Sequence, residues 1–317
     1  MPSQVLQTDY AAVYCAWQRF RAGKRASQPI DKFAYDIENN LSRLATELAD
    51  RSYCHGGYER VVLQEKKRRD LAVAGVRDRV AHRLLYDYLN DIYDKSFDPD
   101  VWSCRVGKGL HKGLSRTQQL LRQHRRSYIW RADITKFFDS VNHTELLACL
   151  ERKTGTYDPA VWLSGEIIDS YHIRGAGIPI GNLTSQIFAN IYLHEFDRVV
   201  RHQLKPQAYL RYGDDFLLFA PTRQAAYSLR SQAINFLDDR LNLTINPKND
   251  AIIGPPHTLK FLGHAITEEF AVVDKHTTKS ILGKIDHRNA SSYRSLPLAQ
   301  TAANQLDWIL LEKYVDI

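Results

Sequence analysis

The sequence predicts an α+β fold with an antiparallel sheet, and three observations carry that prediction. The first is Tyr209-Leu210-Arg211-Tyr212-Gly213-Asp214-Asp215-Phe216-Leu217-Leu218-Phe219, two short β-rich runs joined at Gly213-Asp214, a tight-hairpin signal. The second is helical patterning on either side of it, from Asn182 to about Val200 and over 223–241. The third is size: 317 residues, 44% hydrophobic and 11% aromatic, suffice for two or three packed subdomains and a substantial core.

Taken in order, residues 5–50 read as helices. Val13, Trp17 and Phe20, then Leu41, Leu44 and Leu48, keep helical spacing around a break at Ala22-Gly23-Lys24-Arg25. Residues 58–76 hold two strand-like runs around Glu65-Lys66-Lys67-Arg68-Arg69-Asp70. Four consecutive bases at a β-turn are either a solvated loop or a cover for a triphosphate, because Lys and Arg neutralise phosphate oxygens. Residues 80–93 read as a helix. Val106-Gly107-Lys108-Gly109-Leu110-His111-Lys112-Gly113 then interleaves glycine with basic residues. It lacks the Gly-Lys-Ser/Thr ending of a Walker loop, but suits close approach to a nucleic-acid strand, and Arg116, Arg122, Arg125 and Arg126 extend the basic patch.

Tyr128-Ile129-Trp130-Arg131-Ala132-Asp133-Ile134 reads as a strand that delivers Asp133 near its end. Asn142-His143-Thr144-Glu145 carries N-cap and third-position acid signals for a helix over 146–153. Gly177-Ile178-Pro179-Ile180-Gly181 is a rigid turn. Beyond it Gly181, Ser185 and Ala189 form a small-residue stripe, suited to helix packing or to a helix running beneath a base pair. After the 223–241 helix, residues 243–245, 252–253 and 259–262 read as short strands separated by Asn246-Pro247 and Gly254-Pro255-Pro256 turns. From Thr277 onward helical segments alternate with a Ser/Asn-rich break.

Charge is distributed unevenly. Residues 1–130 hold 23 Lys/Arg against 15 Asp/Glu, and residues 131–317 hold 20 against 21, within a net charge of +7. A basic region joined to a carboxylate-bearing core suggests a polyanion held beside a metal site, although a charged surface also serves solubility. Cys15, Cys54, Cys104 and Cys149 form no Cys-x-x-Cys pair, which argues against structural zinc or a disulfide framework and suits a reducing cytoplasm. The N-terminal residues lack the basic and apolar regions of a signal peptide, and no stretch reaches about eighteen apolar residues, so no signal peptide and no membrane span are expected.

Two adjacent carboxylates at a hairpin tip are unusual, since like charges about 4 Å apart repel by roughly 4 kcal/mol at an effective dielectric near 20. Solvation alone tolerates such a pair, and so does a divalent cation. One carboxylate on a strand, Asp133, with the pair Asp214 and Asp215 on a hairpin, suits two-metal phosphoryl transfer.

These residues carry a resemblance to reverse transcriptases, running from about Tyr58 to His264 in the expected order. Ala132-Asp133-Ile134-Thr135-Lys136-Phe137-Phe138 resembles the first catalytic palm motif and Tyr212-Gly213-Asp214-Asp215 the second. Leu241-Asn242-Leu243 with Asn246 and Lys248 is similar to the next palm motif, whose lysine sits near the triphosphate. Phe261-Leu262-Gly263-His264 resembles the primer grip. The resemblance implies a right-hand polymerase: N-terminal helices and basic fingers over 1–127, an antiparallel palm over 128–265 with a fingers insertion near 145–180, and a short helical thumb over 266–317. It implies Mg²⁺, with Mn²⁺ able to substitute, held by Asp133, Asp214, Asp215 and the carbonyl of Ile134. It also implies an incoming nucleotide met by Lys66, Arg69, Phe138 (as a gate against a ribose 2′-hydroxyl), Ile180, Gly181 and Lys248. Lys108, Lys112 and Arg116 are the candidate nucleic-acid contacts.

Ile180-Gly181-Asn182-Leu183-Thr184-Ser185-Gln186 departs from the Gln-Gly-x-x-x-Ser-Pro of intron and retron enzymes and is similar to the reverse transcriptases of diversity-generating retroelements. That subfamily copies a template-repeat RNA into cDNA, misincorporates opposite template adenines, and works with a small basic pentameric accessory protein. The implied partners are thus template RNA, the RNA/cDNA duplex, dNTPs and that protein, in a bacterial or phage-encoded cytoplasmic setting. A retron-like or phage-defence reverse transcriptase is one alternative. A catalytically idle RNA-binding relic is another, against which the intact aspartate set argues.

Overall fold

A computed structural model describes residues 5–64, 68–171, 175–273 and 278–279. In chain order its elements are α1 (Tyr10–Arg21), α2 (Gln28–Tyr35), α3 (Ile37–Ala49), β1 (Tyr58–Gln64), β2 (Arg68–Ala74), α4 (Val76–Tyr93), α5 (Leu110–Gln123), β3 (Tyr128–Ala132), α6 (Phe137–Ser140), α7 (His143–Thr154), α8 (Pro159–Asp169), α9 (Leu183–Val199), β4 (Ala208–Tyr212), β5 (Asp215–Ala220), α10 (Arg223–Leu241), β6 (Ala251–Ile253), β7 (Leu259–Phe261), β8 (His264–Ile266) and β9 (Ala271–Val273). The fold is α+β, as the sequence predicts. Its described residues fall into two compact units: Met1–Pro99, Ile134–Gln203 and Ala233–Ile245 in the first, Asp100–Asp133, Leu204–Gln232 and Asn246–Ile317 in the second. The thumb expected over 266–317 lies for the most part outside the described residues, as does Lys66.

The first unit is helical apart from the β1–β2 hairpin. The Asp9 side chain caps α1 by accepting from the Ala12 N–H, and Val13, Ala16, Trp17 and Phe20 then fall on one buried face. Against that face lies α4, which also packs on α2, α8 and α9. Its Val80, Leu85 and Leu89 are fully buried, each worth about 1.5–3 kcal/mol of removed apolar surface. α9 is buried around much of its circumference, so its Ser185 and Ala189 are packing positions, and the Ser185 hydroxyl donates to the Pro179 carbonyl at 2.6 Å. α7 starts at His143, three residues before the expected 146, and its N-cap is Asn142 as the sequence predicts, the Asn142 side chain accepting from Glu145 N–H.

The second unit is built on a sheet of order β4-β5-β3-β6 with antiparallel pairs throughout. A second antiparallel sheet follows, β7-β8-β9. Leu210, Leu217, Phe219 and Ile129 of the first sheet join Leu259, Phe261 and Ile266 of the second and Leu114, Leu120 and Leu121 of α5 in one buried core. α5 is an element that the glycine- and base-rich reading of 106–126 does not anticipate. From Leu110 the apolar residues recur at helical spacing, and burying that stripe outweighs the glycine at 113, which is itself covered by Trp102 and Tyr212. Residues 243–245, expected as a strand, form only an isolated Ile134–Ile245 bridge, because this stretch follows directly on the α10 terminus at Asn242, whose φ is 50°.

Candidate active site

Asp133, Asp214 and Asp215 belong to the second unit, and strand register brings them to one end of its sheet. β3 and β5 pair from Tyr128 opposite Ala220 to Ala132 opposite Phe216. One step further puts Asp133 opposite Asp215, and directly opposed residues of an antiparallel pair project to the same face. Asp214 is next along the turn. Tyr212 pairs with Asp215, so Gly213 and Asp214 form a two-residue loop, and Gly213 takes φ 66°, the glycine-first requirement of a tight hairpin turn.

Asp133 is held by residues the chain supplies from 246–249. Asn249 donates from Nδ2 to Asp133 Oδ2 at 2.7 Å, Asn246 Nδ2 lies 3.5 Å from the same oxygen, and the Asn246 N–H donates to the Asp133 carbonyl at 2.9 Å. The other carboxylate oxygen, Oδ1, is buried with no hydrogen-bond partner. A buried polar atom left unpaired costs about 1–3 kcal/mol, and more when charged, so this oxygen marks an open coordination position. Arg131 Nη2 lies 4.0 Å from Asp215 Oδ1 and partly balances the carboxylates. Among the described residues no three His, Cys, Asp or Glu side chains gather into a ready-made ion site. The open Asp133 oxygen and the register of the aspartates are what fit a divalent cation.

Lys248 is exposed on the same 246–249 turn, whose Asn246 Oδ1 accepts the Lys248 N–H at 3.1 Å. Phe261 and His264 close the β7–β8 hairpin, with Leu262 and Gly263 at its tip in positive φ, 50° and 74°. His264 is buried, its Nδ1 2.8 Å from the Leu262 carbonyl and its Nε2 without a partner. The candidate nucleic-acid residues have internal partners. Lys112 Nζ donates to the Gly107 carbonyl at 2.6 Å, Lys108 Nζ sits 4.0 Å from the Trp102 ring centre, and Arg116 grips Asp100 through Nε–Oδ1 at 2.8 Å and Nη2–Oδ2 at 3.0 Å.

The nucleotide-side candidates Phe138, Ile180, Gly181 and Arg69, with Ile134, belong to the first unit, and four of the five are tied together locally. The Phe138 carbonyl accepts from Ile178 N–H at 2.8 Å, and the Ile180 carbonyl accepts from Ala72 N–H of β2 at 2.9 Å. Asn182 Nδ2 returns a bond to the Ala72 carbonyl at 2.8 Å. Gly181 has φ 110° and lies against Leu71 and Ala72. The 177–181 turn thus joins the half-buried Phe138 to the strand that carries Arg69. Ile134 is buried and stands apart in its bridge to Ile245.

Three features escape a sequence reading. Asn249 is one, although the Asn-Pro-Lys-Asn spacing is a turn signal that could have flagged it. Ser103 and Arg211, which bond the backbone of Gly213, are the second. The third is a buried chain in the first unit, Thr184 Oγ1 to His82 Nδ1 at 2.8 Å and His82 Nε2 to His55 Nε2 at 2.9 Å. Burial pushes the His82 imidazole down to about 3, with His55 and Arg79 adding to the shift.

Comparison with known proteins follows the same lines. Residues 60–266 match the family described as reverse transcriptase (RNA-dependent DNA polymerase). Over 241 residues the chain is 23% identical to Protein YkfC of Escherichia coli, covering 63% of each. Over 199 residues it is 25% identical to the group II intron-encoded protein LtrA of Lactococcus lactis, covering 59% of this chain and 33% of LtrA. The chain therefore spans less than two thirds of these relatives. A solved structure of apo telomerase from Candida tropicalis, truncated from its C-terminal domain, superposes with TM-score 0.51 at 13% identity, covering 68% of this chain and 55% of that one. That likeness shows a shared fold, the right-hand polymerase fold.

Proposed function

The chain belongs to the reverse transcriptase (RNA-dependent DNA polymerase) family, and from that premise we propose that it copies an RNA template into cDNA. The observation that carries the proposal is the buried, unpartnered Asp133 Oδ1 just past β3, at the sheet end where β5 begins with Asp215. Asp133, Asp214 and Asp215 would hold Mg²⁺, with Mn²⁺ as a substitute and the Ile134 carbonyl as a further ligand. Bound there, the metal supplies charge that activates the primer 3′-oxygen and neutralises the leaving pyrophosphate. The chain's own residues orient and exclude. Asn249 fixes one Asp133 oxygen and leaves the other open. Phe138, stiffened by its bond to the 177–181 turn, is suited to exclude a ribose 2′-hydroxyl. Lys66, Arg69 and Lys248 supply cations suited to a triphosphate. Primer extension on an RNA template with dNTPs and Mg²⁺ is the test, with Asp214→Asn as the control. Extension lost in the variant while RNA binding persists supports the reading, and equal extension by both proteins refutes it.

The finer reading is a diversity-generating retroelement enzyme, cytoplasmic and encoded by a bacterium or phage, acting with a small basic pentameric protein. Ile180-Gly181 followed by Ser185-Gln186 supports it. Isoleucine offers neither donor nor acceptor in place of the glutamine amide of the Gln-Gly-x-x-x-Ser-Pro pattern, and one lost hydrogen bond is worth up to about an order of magnitude in selectivity. The likeness to LtrA favours an intron- or retron-type template as the second reading. Sequencing cDNA made by wild type and Ile180→Gln separates the two. Excess errors opposite adenine that fall in the variant support the retroelement, and an even, unchanged error spectrum supports the rival.

A further inference from the structure

The Asp214–Asp215 turn is gripped from beneath by two buried side chains. Residues 100–103 run alongside the end of β4: the Arg211 N–H donates to the Asp100 carbonyl at 2.9 Å, and the Trp102 N–H donates to the Arg211 carbonyl at 2.9 Å. Val101 and Arg211 form a parallel bridge. This short added strand ends with Ser103, 5% exposed, whose Oγ accepts the Gly213 N–H at 2.8 Å. On the other side of the same residue, Arg211 Nη1 donates to the Gly213 carbonyl at 3.0 Å. Arg211 is 0% exposed, among the described residues the largest fully buried side chain after Trp130. A guanidinium is buried at high cost unless its donors are used, and Gly213 is where it spends one of them.

We propose that Ser103 and Arg211 are positioning residues of the polymerase site: by bonding both the N–H and the carbonyl of Gly213 they set the aim of the Asp214 and Asp215 carboxylates. Neither side chain touches substrate or metal in this scheme. Their effect passes through the turn backbone, which a two-residue loop transmits directly, because moving Gly213 rotates the two residues after it. The added strand is in turn anchored by the Arg116–Asp100 pair and by Trp102 against α5, so part of the basic segment 100–116 braces the site. The inference rests on the polymerase reading for its consequence and on hydrogen bonding for its mechanism.

The experiment measures the two separately. In wild-type protein without metal, the Gly213 amide should exchange with deuterium at least tenfold more slowly than that of Gly263, whose hairpin tip is exposed. Ser103→Ala should erase most of that protection and raise the Mg²⁺ concentration for half-maximal extension several-fold, with the KM for primer–template unchanged. Terbium binding, read by luminescence, should weaken in parallel. Ser103→Thr, which keeps the hydroxyl, should restore all three. An unprotected Gly213 amide in the wild type overturns the proposal without any variant. So does a Ser103→Ala protein with unaltered exchange and unaltered metal dependence. If wild type and variants alike extend no primer, the polymerase reading fails, while exchange and terbium binding still decide whether the grip exists.

Discussion

Asp133→Asn separates the function of the aspartate cluster from its stability. In the metal-free protein Asp133 accepts a charge-assisted bond from Asn249 and leaves Oδ1 buried and unpaired. Opposed residues of an antiparallel pair stand about 5 Å apart at Cβ, so repulsion between Asp133 and Asp215 reaches about 3 kcal/mol at an effective dielectric near 20. Replacing the carboxylate removes that repulsion and weakens the Asn249 bond by about 1–2 kcal/mol, from the charged to the neutral range. The variant should therefore be about 1–2 kcal/mol more stable than wild type in the absence of metal, where a well-paired half-buried aspartate would lose stability. With metal the order reverses. At one hundred times Kd a bound ion stabilises the native state by about 2.7 kcal/mol, a Tm rise of roughly 5 °C in wild type for a chain this long. The variant should show little rise and no dNTP incorporation. Thermal unfolding with and without Mg²⁺ is the assay. A metal-free variant destabilised by more than about 2 kcal/mol would refute the reasoning, because Asp133 would then be a structural residue.

Three further perturbations test the surroundings. Gly181→Ala forces an L side chain to φ 110°, which should cost about 1–3 kcal/mol in the urea midpoint although the added Cβ finds Leu71 and Ala72 no closer than 3.5 Å; an unchanged midpoint means the 177–181 turn is not rigid. Phe138→Ala should admit ribonucleotides, and discrimination that survives in competition assays moves the gate elsewhere. His82, held down to about 3, binds a proton in the unfolded chain below about 6.5 but not in the folded one, so stability is fully present above that pH and falls as pH drops toward 3. His82→Gln, which cannot protonate, should flatten the fall between pH 6.5 and 4.5, and a fall of equal slope in both proteins assigns it to other groups.

The local code carried much of this architecture. α10 runs over Arg223–Leu241 and the β4–β5 turn falls at Gly213-Asp214, both where spacing and turn chemistry put them. Asp133 directly follows β3, Asp214 lies in the β4–β5 turn and Asp215 opens β5, positions that strand patterning and turn chemistry give them. α8 was not read as a helix, because Pro159-Ala160-Val161-Trp162-Leu163 is apolar almost all round and leaves no polar face to reveal a period. Ser103 and Arg211 were illegible for a different reason. Ser103 meets Gly213 across 110 residues of chain, and a hydroxyl that accepts one backbone N–H leaves no local signature.

The basic excess of the first 130 residues has to be reread for the same reason. Residues 101–130 contain seven Lys/Arg and no Asp/Glu, which from sequence suggests seven charges turned toward phosphate. Several of those cations are engaged within the protein. Arg116 pairs with Asp100, Arg125 with Glu268, Arg122 donates to the Glu268 carbonyl and Arg105 to the Val101 carbonyl. Lys112 closes the Gly107 turn and Lys108 lies over Trp102. A backbone carbonyl leaves the charge un-neutralised, so Lys112 and Arg122 can attract a polyanion while fixing the loop, whereas the paired Arg116 and Arg125 contribute much less. Salt dependence of RNA binding therefore counts fewer phosphates than the net charge suggests, because the same side chains that suit a nucleic-acid surface here shape the segment that carries it.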